Sequence, residues 1–292
     1  MAARLILNAD DFGLTSGINR AIAELSGAGA LTSATLMASG PAFDDAVTVA
    51  LANPHLGVGC HIVLTDGIPV SPPEAIPSLL GDDGKSFRAN TRDFFLAVLR
   101  GKVNDAEMQR EALAQIQKLQ AAGIAVTHID THKHTHILPQ VARPILAAAE
   151  IAGVRAIRNP FEEPWSLAIS NSAFFTRLRL RLLHHLRPRF FALPPIHDGR
   201  ILTTDGIIGI AATGSMDAPT LHTALNALPD GVWELVCHPG YNDHDLNSIV
   251  TRLRTSREIE RAALLSTFAS HTPVKLIDFS QLPPAIETDL SL

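Results

Sequence analysis

Four short segments hold most of the residues able to do chemistry: Asn8-Ala9-Asp10-Asp11-Phe12-Gly13, Gly59-Cys60-His61, Thr127 to His136, and Cys237-His238-Pro239-Gly240. Adjacent carboxylates such as Asp10 and Asp11 repel each other unless a cation lies between them. Imidazole is the commonest metal ligand among side chains, so His61, His132 and His238 beside an acidic pair point to a bound metal. One carboxylate and two imidazoles would leave coordination positions open for water and substrate. A metal held that way lowers the pKa of a water and polarises a carbonyl. A second carboxylate can then take the water proton, and a histidine across the site can protonate a departing nitrogen.

Each segment alone has a plainer reading. Asp10 and Asp11 could cap a helix, the histidines of 132–136 could lie on the surface, and a lone His61 or His238 after an apolar strand is more often a satisfied core residue. Their common placement is what carries weight. In an extended chain Asp130, His132, His134 and His136 would share one side, and the turn forced by His238-Pro239-Gly240 would hold that imidazole at the rim of a sheet. The sequence has no Gly-x-Ser-x-Gly elbow, and its only cysteines, Cys60 and Cys237, have no evident dyad partner.

The elements that must position these groups alternate between short apolar runs and helical patterns, which predicts parallel strands joined by crossover helices. Strands are expected at Arg4–Ala9, Thr35–Met37, Leu56–Ile62, Ala125–Thr131, Val154–Arg158, Trp233–Cys237 and Val274–Phe279. Helices are expected from about Ile18 to Leu25, with Thr15 or Ser16 as cap, and through the face Phe43 to Leu51. Three further helices are expected at Asp105–Ala122, Gln140–Ala152 and Pro219–Leu228, and one at Ser256–Ala269. Asn104 and Glu107 have capping-box spacing at the start of the Asp105 helix. The fold class is therefore α/β, a (β/α) barrel of seven parallel strands or an irregular TIM-like relative. Residues 1–292 read as one barrel domain with a loop insertion at about 65–90 and an irregular basic helical insertion at about 159–204. The chemical segments then fall at the C-terminal ends of four strands, where such folds place their sites.

Composition sets outer limits. The chain has 292 residues, is 46% hydrophobic and 18% charged, and carries a net charge of −5, a soluble globular balance that does not suggest nucleic acid as a partner. Two cysteines do not make a disulfide framework, and the N-terminus lacks a signal-peptide pattern, so a cytoplasmic location is expected.

With Thr127-His-Ile-Asp-Thr-His-x-His-x-His136 and Gly59-Cys-His-x-x-Leu-Thr65 joined to the Asp-Asp and Cys-His-Pro-Gly motifs, the chain resembles the YdjC-like carbohydrate deacetylases. That family includes chito-oligosaccharide deacetylases and hopanoid-biosynthesis deacetylases. The resemblance implies a (β/α) barrel, a divalent metal cation (Mg²⁺ or Zn²⁺) and hydrolytic removal of the acetyl group from an N-acetylated sugar. It also implies Asp11, His61 and His132 as metal ligands, Asp10 as general base and His238 as general acid. Lys133 departs from the family pattern, where many relatives have another histidine, which bears on substrate contacts. The substrate is expected to be an oligosaccharide or a glycolipid such as an acetylglucosaminyl hopanoid. Arg177, Arg179, Arg181, Arg187 and Arg189, interleaved with Leu and Phe between 177 and 191, read either as a helix packed on the barrel or as a peripheral membrane contact. Association into a homodimer is a further expectation. The alternatives from other classes are a metal-dependent phosphoesterase and a non-catalytic carbohydrate-binding protein.

Overall fold

The computed structural model describes residues 2–170, 172–247, 249–268 and 274–284. Its seven strands are β1 (Arg4–Phe12), β2 (Ser33–Leu36), β3 (Gly57–Ile62), β4 (Val126–Thr131), β5 (Gly206–Ile208), β6 (Val232–Cys237) and β7 (Lys275–Leu276). Every pairing is parallel, in the order β4-β3-β2-β1-β6-β5, with β7 beside the start of β1. The hydrophobic runs follow from this arrangement. Strands covered on both faces cannot alternate polar and apolar side chains, and Leu5, Ile6, Leu7 and Ala9 of β1 are all fully buried.

The sheet curls into a half-barrel, which agrees with the irregular TIM-like form of the expected (β/α) barrel and does not close. Between β4 and β5 the backbone crosses by single bridges only, Ile129 to Ile157, Ala156 to Leu202 and Glu162 to Ile207. The strand expected at Val154–Arg158 is thus reduced to two bridging residues. The short β5 lies where no strand is expected from the sequence.

Among the described residues twelve α-helices flank the sheet: α1 (Ser16–Gly27), α2 (Phe43–Ala52), α3 (Thr91–Leu99), α4 (Asp105–Ala121), α5 (Pro139–Ala152), α6 (Pro164–Ile169), α7 (Phe174–His184), α8 (Arg187–Phe191), α9 (Pro194–His197), α10 (Ala218–Asn226), α11 (His244–Asn247) and α12 (Thr255–Phe268). Ala269, expected to close α12, lies outside the described residues. Thr15 caps α1 by accepting from the backbone N–H of Ile18, and Gly153, at φ 75°, ends α5 in the left-handed conformation. Asn104 caps α4, but the reciprocal half of the expected capping box is absent. The Glu107 carboxylate accepts from Ser78 N–H instead, and the Asn104 N–H donates to the Ser78 hydroxyl.

That substitution ties α4 to the long 65–90 loop. Buried Glu111 adds acceptors for the N–H groups of Val70 and Ser71, and buried Gln115 pairs with both the N–H and the carbonyl of Val63. Two buried polar side chains in one helix therefore hold the segment that leaves β3, and with it His61. The main apolar core includes Leu5, Leu7 and Ala9 of β1 and extends to Phe268, whereas Ile6, facing the other way, packs in a separate small cluster with Val232, Ile277 and Phe279. Among the described residues no helix is long and apolar enough to cross a membrane.

Candidate functional site

β1 does not stop at Ala9. It continues through Asp10 and Asp11 to Phe12, and its register against β2 shifts between Ala9 and Phe12. Asp11 has φ 64°, a left-handed conformation that Asp tolerates better than most residues. Such an irregularity re-aims side chains at a strand end, so neighbouring Asp10 and Asp11 take different partners.

Asp11 Oδ1 lies 3.8 Å from His61 Nε2 at the end of β3 and 3.5 Å from His132 Nδ1 just beyond β4, and the two nitrogens are 3.2 Å apart. Ligand atoms about 2.0–2.1 Å from a single ion in a tetrahedral array stand about 3.3 Å from one another. These three positions fit that spacing. The opposite ring nitrogen of His61, Nδ1, is 2.8 Å from Asp130 Oδ1. A carboxylate there fixes the tautomer that leaves Nε2 free for a metal. Burial alone would lower the His61 pKa, but Asp130, Asp10 and Asp11 outweigh it and hold it at about 9.

A second cluster, Asp10, His61 and Asp130, also has metal-ligating spacing. Its carboxylates are already neutralised by Arg158, whose guanidinium is fully buried. Arg158 Nη2 donates to Asp10 Oδ1 at 2.6 Å and Nη1 to Asp10 Oδ2 at 2.9 Å. The same group pairs with Asp130 Oδ2, and its Nε donates to Glu234 Oε1 at 2.7 Å. A cation placed among these groups would face the guanidinium, so the donors around Asp11 are the better metal position.

The electrostatics differ across the site. Burial opposes ionisation of Asp10, yet Arg158 holds its carboxyl below the usual range. Burial likewise opposes ionisation of Asp11, and Arg257 with His132 holds it well below that range. Arg257 Nη2 donates to Asp11 Oδ2 at 2.5 Å, leaving Oδ1 turned to the imidazoles. Burial, aided by Asp10 and Asp130, pushes Glu234 up to about 7 despite Arg158. Asp10, Asp11 and Asp130 thus face two buried guanidiniums, Arg158 and Arg257, so the third negative charge is balanced by a proton on His61 or by a bound cation that takes its place.

His238 follows β6, with Nε2 3.8 Å from Asp10 Oδ2. Its N–H donates to Glu260 Oε2 at 2.6 Å, and Arg257 Nη1 reaches its carbonyl at 3.4 Å. Its Nδ1 is buried with no hydrogen-bond partner among the described residues. The His132 side chain is 18% exposed and that of His238 11%, against 4% for Asp10 and 1% for His61, so the site opens between His132 and His238.

The structure therefore brings together all five residues expected from sequence: Asp10, Asp11, His61, His132 and His238. It does not keep 131–136 extended. The chain turns after Thr131, with Lys133 at φ 58° and His134 at φ 52°. Only His132 joins Asp11 and His61. His136 is buried behind them between Thr131 Oγ1, at 2.6 Å, and the Arg158 carbonyl, at 3.1 Å. Lys133 pairs with Asp66 of the long loop at 2.6 Å. Both cysteines are buried, and burial pushes their thiols well up, which leaves them unsuited as nucleophiles.

Sequence reasoning missed Arg158, Glu234, Arg257 and Glu260. Glu234 left a trace, because a carboxylate inside Val-Trp-Glu-Leu-Val must find a partner once the strand is buried.

Fold and site together define an α/β protein with a metal-capable acid and imidazole cluster at the C-terminal edge of a parallel sheet. The chain belongs to the YdjC-like protein family, whose model matches residues 4–272. A carbohydrate deacetylase of Brevibacillus brevis is 32% identical over 283 residues, covering 96% of this chain and 99% of that protein. Another, from Geobacillus stearothermophilus, is 39% identical over 145 residues, 50% of this chain and 55% of the relative. In fold, the chain is similar to an Enterococcus faecalis protein described as a cellobiose-phosphate cleavage protein. The TM-score is 0.73 at 24% identity, with 96% of this chain and 98% of the other covered.

Proposed function

We propose that this chain hydrolyses the acetamido group of an N-acetylated sugar, releasing acetate and a free amine, in a divalent-metal-dependent reaction. The observation that carries this reading is the convergence of Asp11 Oδ1, His61 Nε2 and His132 Nδ1 within 3.2–3.8 Å, beside an Asp10 held ionised by Arg158. Those three residues would hold the cation, and a donor set of one carboxylate and two imidazoles suits Zn²⁺ better than Mg²⁺. When bound there, a divalent cation supplies Lewis acidity to the amide carbonyl oxygen and lowers the pKa of water.

The chain's own groups account for the proton movements. Asp10 is the general base and takes a proton from the attacking water. Arg158 orients it at two points, so its position survives the charge change. His238, across the opening and 3.8 Å from Asp10, is the general acid that protonates the departing nitrogen as the C–N bond breaks. Asp130 keeps His61 in the ligating tautomer, and Glu260 anchors the backbone that carries His238. The sugar specificity is drawn from the relatives named carbohydrate deacetylases.

Acetate release from a panel of soluble and lipid-linked acetamido sugars, beside hydrolysis of an aryl phosphate, tests this reading. Acetate with equimolar amine supports it. Faster turnover of the phosphate would favour a phosphoesterase.

A further inference from the structure

α7 exposes an apolar face that the described residues leave uncovered. Phe174 is 66% exposed, Phe175 80%, Leu178 41% and Leu182 63%. At about 100° per residue these four fall on one arc of roughly 100°. Arg177 and Arg181 border that arc on one side and Arg179 on the other. The opposite face is spent on the protein: Leu180 is buried with Leu167 and Ala211, and Leu183 packs on the main core. The exposed face is therefore not a by-product of a loosely attached helix.

Charge is segregated in the same place. None of the chain's acidic residues falls between 164 and 197, whereas five arginines do, in a protein with a net charge of −5. Arg187 is partly engaged, with Nε 3.5 Å from Glu163 and its guanidinium over the Phe191 ring. Arg177, Arg179, Arg181 and Arg189 have no carboxylate partner among the described residues.

We infer that α7 docks this protein on an anionic lipid bilayer, with Phe174, Phe175, Leu178 and Leu182 entering the interface and the flanking arginines reaching lipid phosphates. An apolar stripe bordered by long cationic side chains is the pattern of a helix lying in a membrane surface. A second copy of the chain fits the face less well, because pairing two such faces would oppose two sets of arginines. The insertion that carries α7 also reaches the site: Phe190 of α8 lies 6.2 Å from the His136 ring, which is bonded to Thr131 and the Arg158 carbonyl. The docking does not depend on the deacetylase reading.

Co-sedimentation of the full chain with vesicles of phosphatidylcholine mixed with phosphatidylglycerol, and with phosphatidylcholine alone, tests the proposal. Binding is expected on the mixed vesicles only and should weaken as salt rises. The triple variant Arg177→Gln, Arg179→Gln, Arg181→Gln should bind on the order of 10²-fold more weakly. Phe175→Ser with Leu182→Ser should cost at least about tenfold. All five positions lie away from the Asp11 cluster, so thermal midpoints should match the wild type. Should a variant fold poorly, the single Phe175→Ser and the salt titration of the wild type still decide the matter. No sedimentation of the wild type with mixed vesicles, or binding that survives both variants, overturns the proposal. So does a concentration-dependent dimer that Phe175→Ser with Leu182→Ser abolishes, which would assign the face to a second copy.

Discussion

Arg158 and Asp10 meet at two points, Nη2 to Oδ1 at 2.6 Å and Nη1 to Oδ2 at 2.9 Å, beneath an opening bordered by His132 and His238. The neighbouring carboxylate, Asp11, takes a different arginine and turns its free oxygen toward His61 and His132. Two adjacent acids thus have separate electrostatic surroundings, which is the basis for giving them separate tasks.

Asp10→Asn keeps the size of the side chain but cannot accept a proton at neutral pH. Metal content should be retained while turnover falls by about 10²–10⁴-fold, the usual worth of a general base. Asp11→Asn should instead lower metal content. Elemental analysis beside acetate release separates the two, and metal loss on Asp10→Asn with retention on Asp11→Asn would mean the roles are exchanged.

His61→Ala and His132→Ala should each lose most of the bound metal. Asp130→Asn tests the support behind His61 and should weaken metal affinity by about 10–100-fold without abolishing it. Competition with a chromophoric chelator reads all three. Equal affinity in Asp130→Asn and wild type would remove Asp130 from its positioning role.

Arg158→Met removes the only guanidinium that contacts Asp10, Asp130 and Glu234 together among the described residues. Leaving buried charge uncompensated should cost about 3–5 kcal/mol of stability. Urea unfolding of the metal-free protein measures this. A loss under about 1 kcal/mol would show that water or rearrangement replaces the arginine.

Burial pushes the His128 imidazole down to about 3, where it stacks on Phe279 at 3.7 Å between ring centroids. The folded protein keeps this ring neutral, whereas the unfolded chain takes up its proton below about 6.5. The stabilisation is full above that value and is lost as the pH falls toward 3. Between neutral pH and about pH 5 this one group should cost about 2 kcal/mol. His136, lowered to about 4 chiefly by burial, acts in the same direction. Denaturant midpoints across this range should show a shallower pH dependence in His128→Gln than in wild type, and identical slopes would refute the assignment.

The strand-end logic was legible because β1, β3 and β6 are buried and read as largely apolar runs that end in acids or imidazoles, while β4, less apolar and partly exposed at its start, leads into the His-rich run. Asp10, Asp11, His61, His132 and His238 could be found by that rule alone. Arg158 sits at the end of a segment expected as a strand, yet its partners come from β1, β4 and β6, and no local pattern joins residues so distant in sequence. The turn after Thr131 was also hidden, because Lys133 and His134 adopt positive φ where Gly or Asn would have advertised it. β5 has three residues, too few for a periodicity to register. The open side of the half-barrel, crossed by isolated bridges, is a matter of tertiary pairing that seven apolar runs do not specify.

The most direct test of the central claim is acetate release from an N-acetylated sugar by chelator-stripped protein, before and after stoichiometric Zn²⁺ is restored. No release is expected from the stripped protein, recovery of acetate and free amine in equal amounts is expected with the metal, and none is expected in His132→Ala. Undiminished release from the stripped protein, or full recovery in His132→Ala, would contradict that claim.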